Sequence, residues 1–293
     1  MHVGSFKLFC DLAETASFTQ AARLNGVTQS AVSQHLSSLE RQLDCLLVER
    51  SRKGFRLTPE GEVLHRHGRE IVASHEALLS GLQEVRRTVA GTIQVAAVYS
   101  LGLHLLPPYL TRFLKAFPAV HVHVDYQRAD RVYEAVRDNA ADLGLVAYPV
   151  ADRSLEIIPL GEEPLVVICP PGHPLAAEPT VRLEQLHGQK FIGFRPDIPT
   201  RKAIDDVFRK HGIAVRHVME VDNVETVKRA VEAEAGLALV PAGSAAPEVA
   251  QRSLVALALA EGCLNRPVAL IHARRKNLSP AMRRFVQVLQ TPP

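Results

Sequence analysis

Cysteine is scarce in this sequence. Cys10, Cys45, Cys169 and Cys263 are the only four among 293 residues, and no two stand at the short spacings of a metal knuckle or a redox pair. That excludes a disulfide scaffold and fits a reducing compartment. Long hydrophobic runs are missing as well: no apolar stretch approaches the roughly 18–20 residues that cross a bilayer. Lys7, Asp11 and Glu14 interrupt the start of the chain, so no secretory leader reads there. The expectation is a soluble, cytoplasmic protein with no membrane partner. Nor is there a surplus of one charge. Residues 1–90 hold 11 Lys+Arg and 10 Asp+Glu, and residues 91–293 hold 23 and 21, for a net of +3. Any nucleic-acid surface must therefore be local. Fixed-period repeats and low-complexity tracts are also absent. What remains is ordinary globular composition, 47% hydrophobic and 22% charged, over a length that suits two or three domains.

The first ninety residues read as helices. Phe6, Phe9 and Ala13 mark one apolar face of the first. A second, over 19–24, follows Ser17 or Thr19 as cap, and a third, over 29–43, follows Thr28. In the third, Val32, Leu36, Leu39 and Leu43 fall at spacings of four, three and four, which is one helical face. Thr58-Pro59-Glu60 then starts a long helix: a capping hydroxyl, proline at the first helical position and an acid in the first turn. Along it Leu64, Ile71, Leu78 and Val85 recur every seven residues, and Gly68, His75, Leu82 and Val89 follow four places later. That is an a/d seam with Gly68 and His75 as its weak points. A helix lying on its own globular domain is the plain alternative, but so long and narrow a seam favours a second such helix opposite.

Beyond Ala90-Gly91 strands and helices alternate. Strands are expected at 92–98, 120–126, 142–147, 165–169, 190–194, 215–221, 236–240 and 267–272. Helices are expected near 105–117, 131–139, 200–211, 223–233 and 279–289. Strands separated by helices imply parallel βαβ units, and about two hundred residues of them suit two small α/β lobes with a cleft between.

Residues 18–43 contain two short helices joined by Asn25-Gly26, a helix-turn-helix. Ala21 and Ala22 let the helices cross closely, and Gly26 tolerates a positive φ in the turn. With its apolar face turned inward, the third helix presents Gln29, Ser30, Ser33, Gln34 and Ser37. Amides suit base edges and hydroxyls suit phosphates, whereas a merely solvated face would carry more Glu and Lys. Next come Arg50, Arg52, Lys53 and Arg56 around Gly54, which read as a basic two-stranded wing turning at the glycine rather than an ordinary basic loop.

Three strings carry a family resemblance: FTQAARLNGVTQSAVSQHLSSLE, ERSRKGFRLTPEG and VDNVETVKRAVEAEAGLALVP. Their order and spacing resemble the LysR-type transcriptional regulators over essentially the whole chain. The resemblance implies an all-α winged helix-turn-helix domain (1–58), a linker and dimerisation helix (59–90) and an α/β effector domain (91–293). The last is similar to two-lobed periplasmic binding proteins, with lobe I at 91–160 and 267–293 and lobe II at 161–266. It also implies promoter DNA contacts from Thr28, Gln29, Ser30, Ser33, Gln34, Arg50, Arg52 and Lys53. Departures occur: Ser30 stands where the family usually has proline, Gln34 where arginine is frequent, and Val48 where phenylalanine is usual. Gln34 removes a charged groove contact. One good base contact is worth about 1–3 kcal/mol of discrimination, so a half-site alone is weak and dimers, or tetramers built from them, are expected. RNA polymerase is a further candidate partner.

In such a cleft, ligands collect at strand C-termini and helix N-termini. The candidates are Ser100, Leu101, Gln127, Arg128 and Tyr148 from one lobe, and Arg195, Thr200, Arg201 and Asn223 from the other. The serine, threonine and arginines suit a carboxylate, sulfate or phosphate, which agrees with the small organic anions frequent among the family's effectors. Singly, each arginine also reads as a solvated residue, and Ser100 and Thr200 as helix caps. His121 and His123 share one side of a strand but lack a third metal ligand, and Cys169 and Cys263 are 94 positions apart. No cofactor and no metal are expected. An α/β ligand-binding or catalytic protein with a fused DNA reader is the alternative, but no nucleophile–base pair supports catalysis.

Overall fold

The computed structural model describes residues 2–51, 54–85, 89–262 and 264–292. The chain divides into two compact units, residues 1–89 with 276–280, and residues 90–275 with 281–293.

The first unit contains α1 (Val3–Thr15), α2 (Phe18–Leu24), α3 (Gln29–Leu43), β1 (Val48–Ser51), β2 (Gly54–Leu57) and α4 (Pro59–Val85). Caps set these boundaries. Ser17 Oγ accepts from Gln20 N and Thr28 Oγ1 from Ala31 N, while Thr58 Oγ1 accepts from Gly61 N at 3.0 Å. Each satisfies a backbone donor that a helix start leaves open. Between α2 and α3, Gly26 adopts φ 63°, a conformation that glycine enters freely. Leu8, Phe9, Leu12, Ala21, Ala22, Val32, Leu36 and Leu39 form the core. The α1 face is therefore Leu8–Phe9–Leu12, not Phe6–Phe9–Ala13, because positions i, i+1 and i+4 point to the other helices. β1 and β2 pair antiparallel from Val48↔Leu57 to Ser51↔Gly54. Gly54 thus opens β2 rather than lying at the centre of a turn, and Arg52 and Lys53 lie outside the described residues.

The proposed seam on α4 divides in two. Leu64 packs against the N-terminal core. Gly68 is where α1 approaches: a Cβ there would lie 3.2 Å from Cys10 Sγ. So Gly68 serves a contact inside the unit. Farther along, Ile71, Leu78 and Leu82 are exposed, Leu78 to 60%, and nothing in the chain covers them among the described residues.

The second unit comprises β3 (Gly91–Val98), a π-helical turn (Leu101–Leu105), α5 (Leu106–Ala116), β4 (Val120–Gln127), α6 (Ala129–Arg137), β5 (Leu143–Ala147), β6 (Leu155–Cys169), β7 (Thr180–Val181), β8 (Lys190–Phe194), α7 (Pro199–Lys210), β9 (Arg216–Val221), α8 (Val224–Glu232), β10 (Ala238–Pro241), α9 (Ala242–Ala250), β11 (Val255–Leu259), β12 (Asn265–Ala273) and α10 (Pro280–Gln290). The main sheet runs β4-β3-β5-β12-β6-β11-β7, with β10 also on β6, and β8-β9 form a separate parallel pair. β3, β4 and β5 are parallel, but β12 runs antiparallel to both β5 and β6. The purely parallel expectation fails there.

β6 is three times the length read from sequence. Its first part, to Pro164, pairs with β12, and Leu165–Cys169 pairs with β10 and β11. Gly161, at φ 121°, and a register shift opposite Val268/Ala269 mark an irregularity within the stretch paired with β12, and the change of partners follows at Pro164/Leu165. Pro159, Gly161 and Pro164 hid that first part from a pattern reading. β7, β11 and α9 also went unread; α9 carries Pro247 inside it. Separate apolar clusters lie around Val132, Val136, Val146 and Ile271, and on the two sides of β6 near Val167 and Ile168.

Candidate functional sites

In the first unit, α3 buries Val32, Leu36 and Leu39 and leaves Thr28, Gln29, Ser30, Gln34 and Ser37 exposed, with Ser33 half-buried. Thr28 Oγ1 and Ser30 Oγ share a hydrogen bond of 2.9 Å at the helix start. Backbone donors at that end and short hydroxyls beside them suit a phosphate, while the two amides project farther along the same helix. Arg50 lies in β1 opposite Phe55. Arg52 and Lys53 lie outside the described residues.

In the second unit a cavity of about 390 Å³ opens among the ends of β3, β4, α7, α8 and β12. Of the residues expected there, Ser100, Gln127, Arg128, Thr200 and Asn223 line it. Leu101, Tyr148, Arg195 and Arg201 are not part of the lining. Leu101 is wholly buried in the π-helical turn. Tyr148 sits at φ 51°, its hydroxyl buried without a hydrogen-bond partner among the described residues, and burial pushes its ionisation upward. Arg201 is turned away: it donates to Asp205, to Phe194 O at 2.7 Å and to Glu220 at 2.8 Å. A helix-start arginine with acids at i+4 and on the neighbouring strand has nearer partners than the cleft.

Charges in the cleft arrive already paired. Arg128 hydrogen-bonds Asp197 and stands 3.6 Å from Asp130, and Arg195 stands 3.4 Å from Asp197. The Arg128 hydrogen bond and charge hold Asp197 below its ordinary value. Asn223 caps α8, its Oδ1 accepting from Thr226 N at 2.9 Å, and its Nδ2 donates to Asp222. Thr200, expected to face the ligand with helix capping as the plain alternative, is the second residue of α7, whose N-cap position is Ile198.

Arg266 was missed by the sequence reading. It is the second residue of β12, is 3% exposed and lines the cavity. Its Nη1 donates to Ser100 Oγ at 2.9 Å, and its Nε and Nη2 both donate to Glu163. No local motif flags it, since its partners Ser100 and Glu163 are 166 and 103 positions away in sequence. Asp197, Asp222 and Tyr133 also line the cavity without having been expected.

Behind the α8 end of the cleft lies a second ionic chain. His104 Nε2 meets Glu225 at 2.6 Å; Lys228 Nζ meets Glu225 at 3.0 Å, Glu248 at 2.9 Å and Ser244 O at 2.9 Å. Burial works against ionised Glu225, but hydrogen bonds from His104 and Lys228 outweigh it and keep its pKa low.

A helix-turn-helix with a two-stranded wing, followed by a long helix and an α/β unit with a polar cleft, defines a DNA-binding protein that carries a small-molecule-binding domain. The match to known families is specific. Residues 4–62 match the bacterial regulatory helix-turn-helix protein, lysR family, and residues 86–291 match the LysR substrate binding domain. The chain belongs to the LysR family of transcriptional regulators. It is 29% identical to the uncharacterised HTH-type transcriptional regulator YbhD of Escherichia coli over 98% of this chain and 90% of that one. Among solved structures it resembles full-length CbnR complexed with its target DNA, at 23% identity and a TM-score of 0.62, covering 99% of each chain. The CcmR regulatory domain of Synechocystis in complex with 2-PG matches at 24% identity and a TM-score of 0.62, covering 68% of this chain and 96% of that one. The last two likenesses concern the fold.

Proposed function

We propose that this regulator reads promoter DNA as a homodimer and responds to a small organic or inorganic anion bound between the two lobes of its α/β domain. Gln29, Ser33 and Gln34 read the major groove, Thr28 and Ser30 hold phosphate, and Arg50, Arg52 and Lys53 on the wing hold backbone or minor groove. The lobes are residues 91–160 with 267–293, and 161–266. The observation that carries the ligand reading is the cavity itself: Ser100 and Thr200 line one space together with Arg128 and Arg266. The CcmR regulatory domain, which shares this fold, was solved in complex with 2-PG, and that supports an anionic effector here. Exposed Ile71, Leu78 and Leu82 on α4 support pairing through that helix, and two such dimers give a tetramer. Arg195 and Arg201, which do not line the cavity, leave the ligand reading. Cytoplasmic residence, contact with RNA polymerase and the absence of catalysis follow from the same reading; no helix among the described residues is long and apolar enough to cross a membrane.

An effector that shifts DNA geometry must bind the two conformations with different affinities. Footprinting on the chain's own upstream region, with and without a panel of organic anions, tests the proposal. A footprint whose length changes with one compound is the expected result. No protection at low salt defeats the DNA reading, and protection indifferent to every anion defeats the ligand reading.

A further inference from the structure

On α3, Val32, Leu36, Leu39 and Leu43 pack into the core of the first unit. Ser30, Gln34, Ser37 and Arg41 repeat the same spacing two residues earlier, about 200° round the helix, and all four are exposed. Gln34 therefore stands in the middle of the outward stripe, with a serine four residues before it and another three residues after. It is longer than either, so its amide reaches beyond theirs.

Other polar groups of α3 are engaged within the unit. Ser30 Oγ shares its hydrogen bond with Thr28, the His35 ring lies edge-on to His2 at 6.3 Å between centroids, and Glu40 Oε1 accepts from Leu47 N at 3.0 Å. The Gln34 amide makes no hydrogen bond among the described residues. A serine hydroxyl both donates and accepts, so it favours no one base. An amide holds one donor and one acceptor side by side in a plane. In the major groove adenine presents the matching pair on a single base, N7 to accept and N6–H to donate. Guanine presents two acceptors, N7 and O6, which suit a guanidinium instead.

We propose that Gln34 is a specificity-determining residue that reads adenine: one A·T pair in each operator half-site, at the same distance from the dyad, is selected by its amide. This inference rests on the reading of α3 as the element that enters the major groove. It adds which base that helix selects and through which side chain.

Selection of bound duplexes from a randomised pool at low salt, by the full-length wild type and two variants, tests it. The base position that responds to Gln34 holds adenine in the wild type, moves to guanine in Gln34→Arg, whose fork donates twice, and loses its preference in Gln34→Ala. Competition between the selected operator and one with that adenine changed to guanine then gives a preference of about tenfold or more in the wild type, reversed in Gln34→Arg. Because each preference is a ratio measured on one protein, the uniform affinity that the added arginine charge gains on phosphate cancels. Gln34 is exposed and unbonded within the unit, so both variants melt with the wild type. A responding position that holds another base in the wild type, or the same base preferred by all three proteins, overturns the assignment and leaves α3 as the reader. A pool from which the wild type enriches nothing overturns the DNA reading itself.

Discussion

Replacing Lys228 by methionine tests how the α/β domain stores its buried charge. The Lys228 side chain is 1% exposed and Glu248 9%, and the ammonium spends its three donors on Glu248, Glu225 and Ser244 O. Methionine fills similar space but removes the cation that hydrogen-bonds Glu248, whose second carboxylate oxygen is already buried without a hydrogen-bond partner among the described residues. Glu225 contributes less, because it is 39% exposed and keeps His104. Removing one partner of a buried pair costs about 3–5 kcal/mol, most of it the stranded charge rather than the lost attraction. In a unit of some two hundred residues each kcal/mol lowers the midpoint by about 2–4 °C, so a fall of roughly 10 °C is expected. Urea and thermal unfolding of the full-length protein, followed by circular dichroism, measure it. Adding Glu248→Gln to Lys228→Met recovers most of the loss, because no charge is then stranded. A cost below about 1 kcal/mol for Lys228→Met, or a double variant no more stable than the single one, refutes the reasoning.

Other expectations follow from the same structure. Burial, together with Glu14 and Asp11, pushes the Cys10 thiol up to about 12, so roughly one molecule in ten thousand is thiolate there at pH 8. Timed alkylation with peptide mapping should find Cys10 unlabelled in the folded protein and reactive only in denaturant. Asp152 is held down at about 2 by the Ser154 hydroxyl and backbone N–H, with Arg137 adding to them. A depressed carboxylate contributes stability above its ordinary 3.8 that is lost as pH falls through about 2. Carbon-13 carboxyl titration should show that low midpoint, and Ser154→Ala should raise it toward 3.8. Gln34→Ala should reduce discrimination among operator variants by about 1–3 kcal/mol with little change in non-specific binding, as read by competition binding at fixed salt. Equal losses on all sequences would reassign Gln34 to a backbone contact.

How much of this was legible in advance varies with sequence separation. Thr28 as cap, the bounds of α3 and the strand at 190–194 were readable because capping and periodicity act over a few residues. Ser100 and Thr200 were found by the rule that ligands gather at strand and helix ends, and both line the cavity. The same rule also selected Arg195 and Arg201, because a position at an element's end says nothing about which acid a long side chain reaches first. Gly68 looked like a flaw in a heptad seam, and its actual task, admitting α1, belongs to packing inside the unit.

By itself, then, the sequence determined the elements of the DNA reader, the long helix and the alternation that makes an α/β domain, since all of these depend on short-range backbone preference and on which face of each element is apolar. Tertiary structure alone decided where β6 changes partners, that Arg201 turns from the cleft, and that Arg266 reaches Ser100 across 166 positions. The physical reason is one and the same: strand register across a sheet chooses which distant side chains meet, and register is a property of the assembled sheet, not of any one strand.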